Sequence, residues 1–396
     1  MDSLTNGFDI LIQQEEICSS KECRNLKSAR EDPQTVDSLI RAEVEKGFVI
    51  GPFTSSPFML HRISPVGIAV GKYSGKKRLI LDLSSPHNDP NHESINSLID
   101  KEKCSLSYVK IDDAIRHIQE YGKGSILCKT DIQDAFKQIP VLPEQWRFLG
   151  FKWNKNYYFC VRLPFGSRSS PKIFDNLSQA VCWIAQHNYG IHTILHLLDD
   201  FLTIDRPQGD GERTMLILKM IFKKLGIPIS EKKTEGPSTR LTYLGVILDT
   251  EKMQAILPEE KVQRIANFIH DLLRKKSCTK LELLQLLGHF NFATRVILPG
   301  RAFVSYLISL STTVKELHYY VHLNQECIND LKMWLTFLSD WNGVSLFYER
   351  YLTSNADLHL YTDAASNSGF GGFYDGKWFS EPWPPDLMES TNAKCP

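Results

Sequence analysis

Between His192 and Asp205 two short apolar runs, Thr193 to Leu198 and Phe201 to Ile204, flank a bare acidic pair, Asp199 and Asp200. Runs this short and this rich in Leu and Ile suit strands better than helices. Asp is depleted in strands and common in turns. The stretch therefore reads as a β-hairpin with adjacent carboxylates at its tip. Two neighbouring anions repel each other and resist burial unless a cation neutralises them. A divalent ion is the natural cation, and hard oxygen ligands select Mg²⁺ or Mn²⁺. A solvated turn with both carboxylates in water satisfies the same residues, and for an isolated Asp-Asp pair it is the commoner outcome. A third carboxylate at the end of another strand would separate the two readings.

A chain of 396 residues has room for two to three domains. Acidic and basic residues balance at 46 each, so no overall field draws nucleic acid, and any such binding must come from local clusters. Nine cysteines, odd in number and without a C-x-x-C pair, read as free thiols in a reducing compartment. Neither a signal peptide nor a membrane-length apolar run is visible. An intracellular setting, cytoplasm or nucleus, with no membrane partner is therefore expected.

Residues 1–34 are polar and weakly patterned, as a flexible lead-in with room for one short helix would be. Val36, Leu39, Ile40 and Val44 then space as a helix face that Gly47 closes. Two extended runs, Ile63 to Val70 and Arg78 to Leu83, are joined by a tip carrying Lys72, Lys76, Lys77 and Arg78. Such a tip suits phosphate contact and equally suits a solubilising turn. Ile111, Ala114, Ile115, Ile118 and Tyr121 predict a further helix. After it an apolar strand from Ile126 ends at Asp131, with a turn or short helix following. Asp131 is the third carboxylate. Beside the hairpin tip it would complete a two-metal site, in which ions about 4 Å apart stabilise the attacking and leaving oxygens of an in-line displacement at phosphorus. As the N-cap of the following helix it would have no such role. Ser169 or Ser170 then caps a helix with Pro171 in its first turn, and Ile173, Phe174, Leu177, Val181 and Ile184 form its core stripe. Gly166, in the loop before that helix, would let a nucleotide approach the backbone closely.

These segments together resemble a known family. Asp131 with Gln133-Asp134-Ala135-Phe136 just after it, Leu163-Pro164-Phe165-Gly166 with Ser170-Pro171, and Leu198-Asp199-Asp200 are similar, in order and spacing, to the polymerase motifs of retroelement reverse transcriptases. Ser64-Pro65-Val66-Gly67, Arg78-Leu79-Ile80, Leu83 to Pro86 and Ser94-Ile95-Asn96 resemble one subgroup, the tyrosine-recombinase retrotransposons of the DIRS and Ngaro type. The resemblance runs from about Ser38 to Trp383. It implies an α+β fold, a right-hand polymerase of fingers, palm and thumb followed by a partial ribonuclease H-like sheet. Residues 35–255 would be fingers and palm, 256–350 thumb and helical connection, and 351–396 a truncated ribonuclease H-like segment. The implied activity is RNA-directed DNA synthesis on an RNA or DNA template, extending a DNA primer with deoxynucleoside triphosphates and using Mg²⁺, with Mn²⁺ as substitute.

Roles carry over by position. Asp131, Asp199 and Asp200 would bind metal, and Asp134 would sit near the incoming triphosphate. Phe136 would be the aromatic gate under the sugar that excludes a 2′-hydroxyl, and Phe165 and Gly166 would line the nucleotide pocket. Lys72 and Arg78 would hold the triphosphate from the fingers. Lys233 would give a proton to the leaving pyrophosphate, its alternative being an ordinary surface lysine. Leu244 and Gly245 would grip the primer. Two departures stand out. Leu197 replaces the aromatic usual two positions before the Asp pair, and Gly71 precedes a single Lys72 where a Lys-Lys pair is usual.

Farther on, Val262, Ile265, Ile269 and Leu272 mark an amphipathic helix over Pro258 to Lys276, and Thr279 with Glu282 spells a capping box for the next. Lys275, Lys276 and Lys280 are candidates for duplex contact or a solvated face. Trp334 and Trp341 are expected in the core. Leu358 to Asp363, followed by a Gly-rich hairpin, resembles the first strands of a ribonuclease H domain with Asp363 as its first metal ligand. Glu381, Asp386 and Glu389 lie too near that hairpin to be the usual partners, so ribonuclease H activity is not expected. The rival reading is a catalytically silent retroelement relic acting as a nucleic-acid-binding or interaction module. The short C-terminal segment and Leu197 favour the relic, and the intact triad disfavours it. The sequence leaves the oligomeric state open.

Overall fold

A computed structural model of the chain describes residues 2–13, 19–71, 75–87, 89, 92–340, 344–346, 359–365 and 368–383. Two compact units make up the chain. The first comprises Met1–Lys110, Leu127–Asp205 and Asp210–Pro237; the second comprises Ile111–Ile126, Arg206–Gly209 and Ser238–Pro396.

The first unit is organised on a four-stranded sheet in the order Glu235–Ser238, Ile126–Asp131, Asp200–Asp205, Ile194–Leu197. The expected hairpin is present: Ile194–Leu197 and Asp200–Asp205 are antiparallel, with Leu197 opposite Asp200. Helix Ser170–Tyr189 lies against this sheet and against helix Gly211–Lys224. Ser169 stands at its N-cap position but makes no side-chain capping hydrogen bond, Pro171 lies in its first turn, and it ends at Gly190, whose φ of 69° is the left-handed stop. Ile173, Phe174, Leu177 and Val181 form its buried stripe, as their spacing predicts. A five-stranded sheet of the same unit runs Lys21–Glu22, Arg62–Ile63, Gly150–Trp153, Asn156–Cys160, Val49–Phe53, and Val66–Val70 pairs separately with Lys77–Leu81.

Where the sequence predicts a flexible lead-in over residues 1–34, the described part of that segment is folded onto the core. Ile10 and Ile12 are buried, and Phe8 and Ile12 bridge to Val141 and Ile99. The Ile10 amide donates to Gln145 Oε1 at 2.8 Å. These partners lie so far along the chain that a local reading of polarity does not register them.

The second unit holds the sheet Arg240–Tyr243, Val246–Asp249, Gln254–Ile256, Val344–Leu346. It also holds helices Glu259–Lys275, Lys280–Ala293, Ser305–Thr312 and Gln325–Asp340. The boundary between units falls at Pro237 and Ser238, and helix Ile111–Tyr121 belongs to the second unit. The reason is visible at Thr250: its hydroxyl donates to the Ser125 carbonyl at 2.7 Å, and its own carbonyl accepts from the Gly124 amide at 3.0 Å. The capping box is formed, with Thr279 and Glu282 bonding reciprocally. Trp334 is fully buried and stacks on Phe290 at 4.1 Å between centroids, whereas Trp341 lies outside the described residues. Tyr361–Ala365, Gly369–Tyr374 and Lys377–Pro382 form an antiparallel three-stranded sheet. Among the described residues no helix is long and apolar enough to cross a membrane.

Candidate active site

The site forms where the two central strands of the first unit's four-stranded sheet meet. Asp131 is the last residue of one strand and Asp200 the first of its neighbour, so the sheet brings together carboxylates 69 positions apart in the chain. The Ile132 amide donates to the Asp199 carbonyl at 3.2 Å, which fixes the strand ends to each other. Leu198, at φ 53°, turns the hairpin, and Ser178 from the long helix donates its hydroxyl to the Leu198 carbonyl at 2.9 Å. Asp131 is therefore a strand-end residue rather than a helix N-cap; the short 3₁₀ turn Ala135–Gln138 is preceded by Asp134.

Asp131 is 4% exposed, while Asp199 and Asp200 are half-buried. Lys233 spans both Asp131 oxygens, at 3.0 and 2.9 Å. That contact raises the lysine's pKa, with the charges of Asp199 and Asp200 adding to it. Burial pushes the carboxyls of Asp199 and Asp200 above the ordinary range, and the charge of Asp131 raises both further. Among the described residues no side-chain donor bonds Asp199 or Asp200, and no three acidic, His or Cys side chains already form a ligating cluster. Lys233 is the ammonium bonded to the triad, while Lys129, paired with Glu235 at 3.1 Å, acts on Asp200 through its charge alone. This donor set is all oxygen, negatively charged in excess and partly desolvated, which fits a hard divalent cation.

The neighbouring candidates fall into place unequally. Phe136 packs its ring 5.3 Å from Phe165 and 5.4 Å from Phe174, so the expected aromatic pair of the nucleotide pocket is adjacent. Phe165 keeps 38% of its surface exposed. Asp134 is engaged by Lys46 at 2.7 Å, a lysine that nothing in the local sequence marks. Gly166 departs from expectation. With φ at 104°, the space a Cβ would take lies 2.3 Å from the Leu81 carbonyl oxygen, so the close approach its missing side chain allows is made by the protein's own backbone. Asn96 holds that loop, donating to the Gly166 carbonyl at 2.9 Å and accepting from the Arg168 amide at 2.8 Å. The motif around Asn96 is readable from sequence, but this clamp spans 70 positions and is not.

On the Val66–Val70 hairpin Arg78 is exposed and makes no ion pair among the described residues. Lys77 is occupied by Asp32 at 2.6 Å, which holds that carboxyl down at about 2. Lys72 lies outside the described residues. In the second unit, Leu244 and Gly245 form the two-residue turn between Arg240–Tyr243 and Val246–Asp249. Lys280 is not available to a duplex: its ammonium donates to the Val314 carbonyl at 2.7 Å. Lys275 faces Glu282 at 3.6 Å. Asp363 is exposed, opposite Gly371 in its sheet, and accepts from the next amide at 2.9 Å; Asp386 and Glu389 lie outside the described residues.

Residues 74–248 match the family reverse transcriptase (RNA-dependent DNA polymerase). The chain is 24% identical over 223 residues to the Gag-Pro-Pol polyprotein of human T-cell leukemia virus 2, covering 54% of this chain and 14% of that polyprotein. It is 21% identical over 339 residues to the putative enzymatic polyprotein of cassava vein mosaic virus, covering 84% of this chain and 46% of that one. It thus spans less than half of the length of both relatives. Among solved structures, the dRH form of foamy viral protease-reverse transcriptase in complex with double-stranded DNA superposes with a TM-score of 0.62 at 18% identity, over 95% of this chain and 60% of the other. The same viral protein in complex with an RNA/DNA hybrid gives 0.61 at 16% identity, over 96% and 46%. The fold is that of the right-hand polymerases.

Proposed function

We propose that the reverse transcriptase domain of this chain is a working RNA-directed DNA polymerase, extending a DNA primer with deoxynucleoside triphosphates. The observation that carries this reading is the meeting of Asp131 with Asp199 and Asp200 at one end of two neighbouring strands, with Lys233 bonded to Asp131 beside them. In the reaction the primer 3′-hydroxyl attacks the α-phosphate of the nucleotide and pyrophosphate leaves. Asp131, Asp199 and Asp200 would hold Mg²⁺, which when bound stabilises the attacking and leaving oxygens. Lys233 is held at Asp131 through both carboxylate oxygens and stays protonated, the state a donor to the leaving group needs. Phe136, buttressed by Phe165 and Phe174, presents a rigid face under the sugar. Arg78 supplies an uncommitted guanidinium fork for the triphosphate. Leu244 and Gly245 form the turn that grips the primer.

Single-nucleotide extension of a labelled DNA primer on an RNA template, with and without Mg²⁺, tests the reading on the full chain. Metal-dependent extension, lost in Asp199→Asn, is the expected result. An Asp199→Asn rate equal to wild type overturns it, and hybrid binding without incorporation points to a binding module instead. The finer placement among tyrosine-recombinase retrotransposons belongs to the same proposal. It is supported by Ser64 to Gly67, Arg78 to Ile80 and Ser94 to Asn96. A tyrosine recombinase reading frame in the same genetic element agrees with it, and a retroviral-type integrase frame in that place refutes it.

A further inference from the structure

The Leu244–Gly245 turn is a two-residue hairpin loop with both residues at positive φ, 46° and 79°. Gly tolerates this; Leu does not, and turns of this shape ordinarily carry Asn or Gly there. A residue kept in so unfavourable a conformation needs surroundings that over-determine it. The neighbours that hold the second residue of this turn, Gly245, are Lys261 and Phe292. Lys261, near the start of helix Glu259–Lys275, donates its ammonium to the Gly245 carbonyl at 2.9 Å. The same ammonium lies 3.8 Å from the centroid of the Phe292 ring on helix Lys280–Ala293. A side chain on Gly245 would meet the Lys261 ammonium and touch the Phe292 ring, so both partners lie directly against the turn.

This arrangement is retained against an opposing force. Arg295 stands over the same Phe292 ring at 5.6 Å. Burial, with the charges of Arg264 and Arg295, holds the Lys261 pKa below the ordinary lysine range, Glu260 pulling the other way. A lysine free to leave would swing to water, as its flexible stem allows. It stays because the carbonyl and the ring together hold it.

We propose that Lys261 is a positioning residue for the primer strand: it latches the Leu244–Gly245 turn to two helices of the second unit and thereby sets where the turn holds the primer. The proposal rests on the reading of that turn as the primer-gripping element. Loss of the latch leaves the nucleotide site intact and misplaces the primer end. Misplacement of a reacting atom by about 1 Å costs roughly 10²-fold in rate.

Steady-state extension with Lys261→Met, which keeps the stem and loses the charge, tests this in the full chain alongside Lys261→Arg. The expected result is a kcat reduced roughly 10- to 100-fold on a matched primer, a nucleotide KM within about twofold of wild type, and substantial recovery in Lys261→Arg. A kcat per folded molecule equal to wild type, with only a lowered melting temperature, shows a structural lysine and overturns the proposal. If Lys261→Met does not fold, Phe292→Leu removes the ring under the ammonium and is held to the same kcat and KM criteria. A wild-type chain that binds primer–template but extends no primer removes the polymerase reading itself, and the latch with it. Active wild type with an unaffected Lys261→Met removes the latch alone.

Discussion

Gly166→Ala decides whether that glycine serves the nucleotide or the fold, and the structure sets the size of the effect. Alanine at φ 104° leaves the allowed region, a cost of about 1–3 kcal/mol. Its Cβ would also lie 2.3 Å from the Leu81 carbonyl oxygen, so roughly 1 Å of displacement is needed for an ordinary contact. Neither side yields easily. Leu81 is buried and paired in register with Val66, and the Gly166 loop is tied through its carbonyl and the Arg168 amide to Asn96. Overpacking of this kind costs about 1–3 kcal/mol. The sum, about 2–6 kcal/mol, lowers the melting temperature of a unit this size by about 5–20 °C.

Gly47→Ala is the internal control. Gly47 also has positive φ, 68°, but nothing lies within 4 Å of its Cβ position. It therefore incurs only the left-handed cost of about 1–2 kcal/mol. The difference between the two variants isolates the collision with Leu81. Thermal melts followed by circular dichroism, without nucleotide or primer, measure both. A Gly166→Ala protein that melts like Gly47→Ala, with its defect confined to a raised nucleotide KM, would falsify the structural assignment and return Gly166 to the nucleotide pocket.

Three other outcomes are expected. Lys233→Met slows incorporation by roughly 10²-fold if the lysine donates a proton to pyrophosphate, and a single-turnover rate within about twofold of wild type removes it from the chemistry. Phe136→Ala lowers the preference for deoxy- over ribonucleotides by roughly 10- to 100-fold, read as the ratio of kcat/KM values; an unchanged ratio dismisses the ring as the sugar gate. Asp330 is buried with one carboxylate oxygen unpartnered, and burial lifts its pKa from 3.8 to about 6. Between those values the native state keeps a proton that the unfolded chain has released, so stability falls as pH rises and the penalty is complete above pH 6. Asp330→Asn consequently gains about 1–3 kcal/mol at pH 8 and almost nothing at pH 4, and parallel melting profiles for the two proteins across that range contradict this.

What the sequence made legible is what repeats or completes itself within a few residues. The hairpin around Asp199 shows in two apolar runs broken by carboxylates, the long helix in the Ile173–Val181 stripe, and the capping box in a Thr and a Glu three apart. The acidic triad needed one further step, the recognition that Asp131 ends a strand of its own. Polar partnerships set by topology left no such trace. Asp134 reads as a free carboxylate until Lys46, 88 residues earlier, is seen beside it. Gly166 reads as an opening for a ligand until Leu81 fills the space. The first residues did carry a signal: Phe8, Ile10 and Ile12 alternate as an edge strand would, and they bridge or bury accordingly. That alternation was outweighed by the surrounding polarity. Lys261 shows the limit most plainly. A lysine in the first turn of an amphipathic helix is, on sequence grounds, a solvated cation at the wrong end of the helix dipole. Only the fold reveals that a strained turn and an aromatic ring have been brought to it. An unfavourable local choice that is nevertheless satisfied in three dimensions is what a functional contact leaves behind.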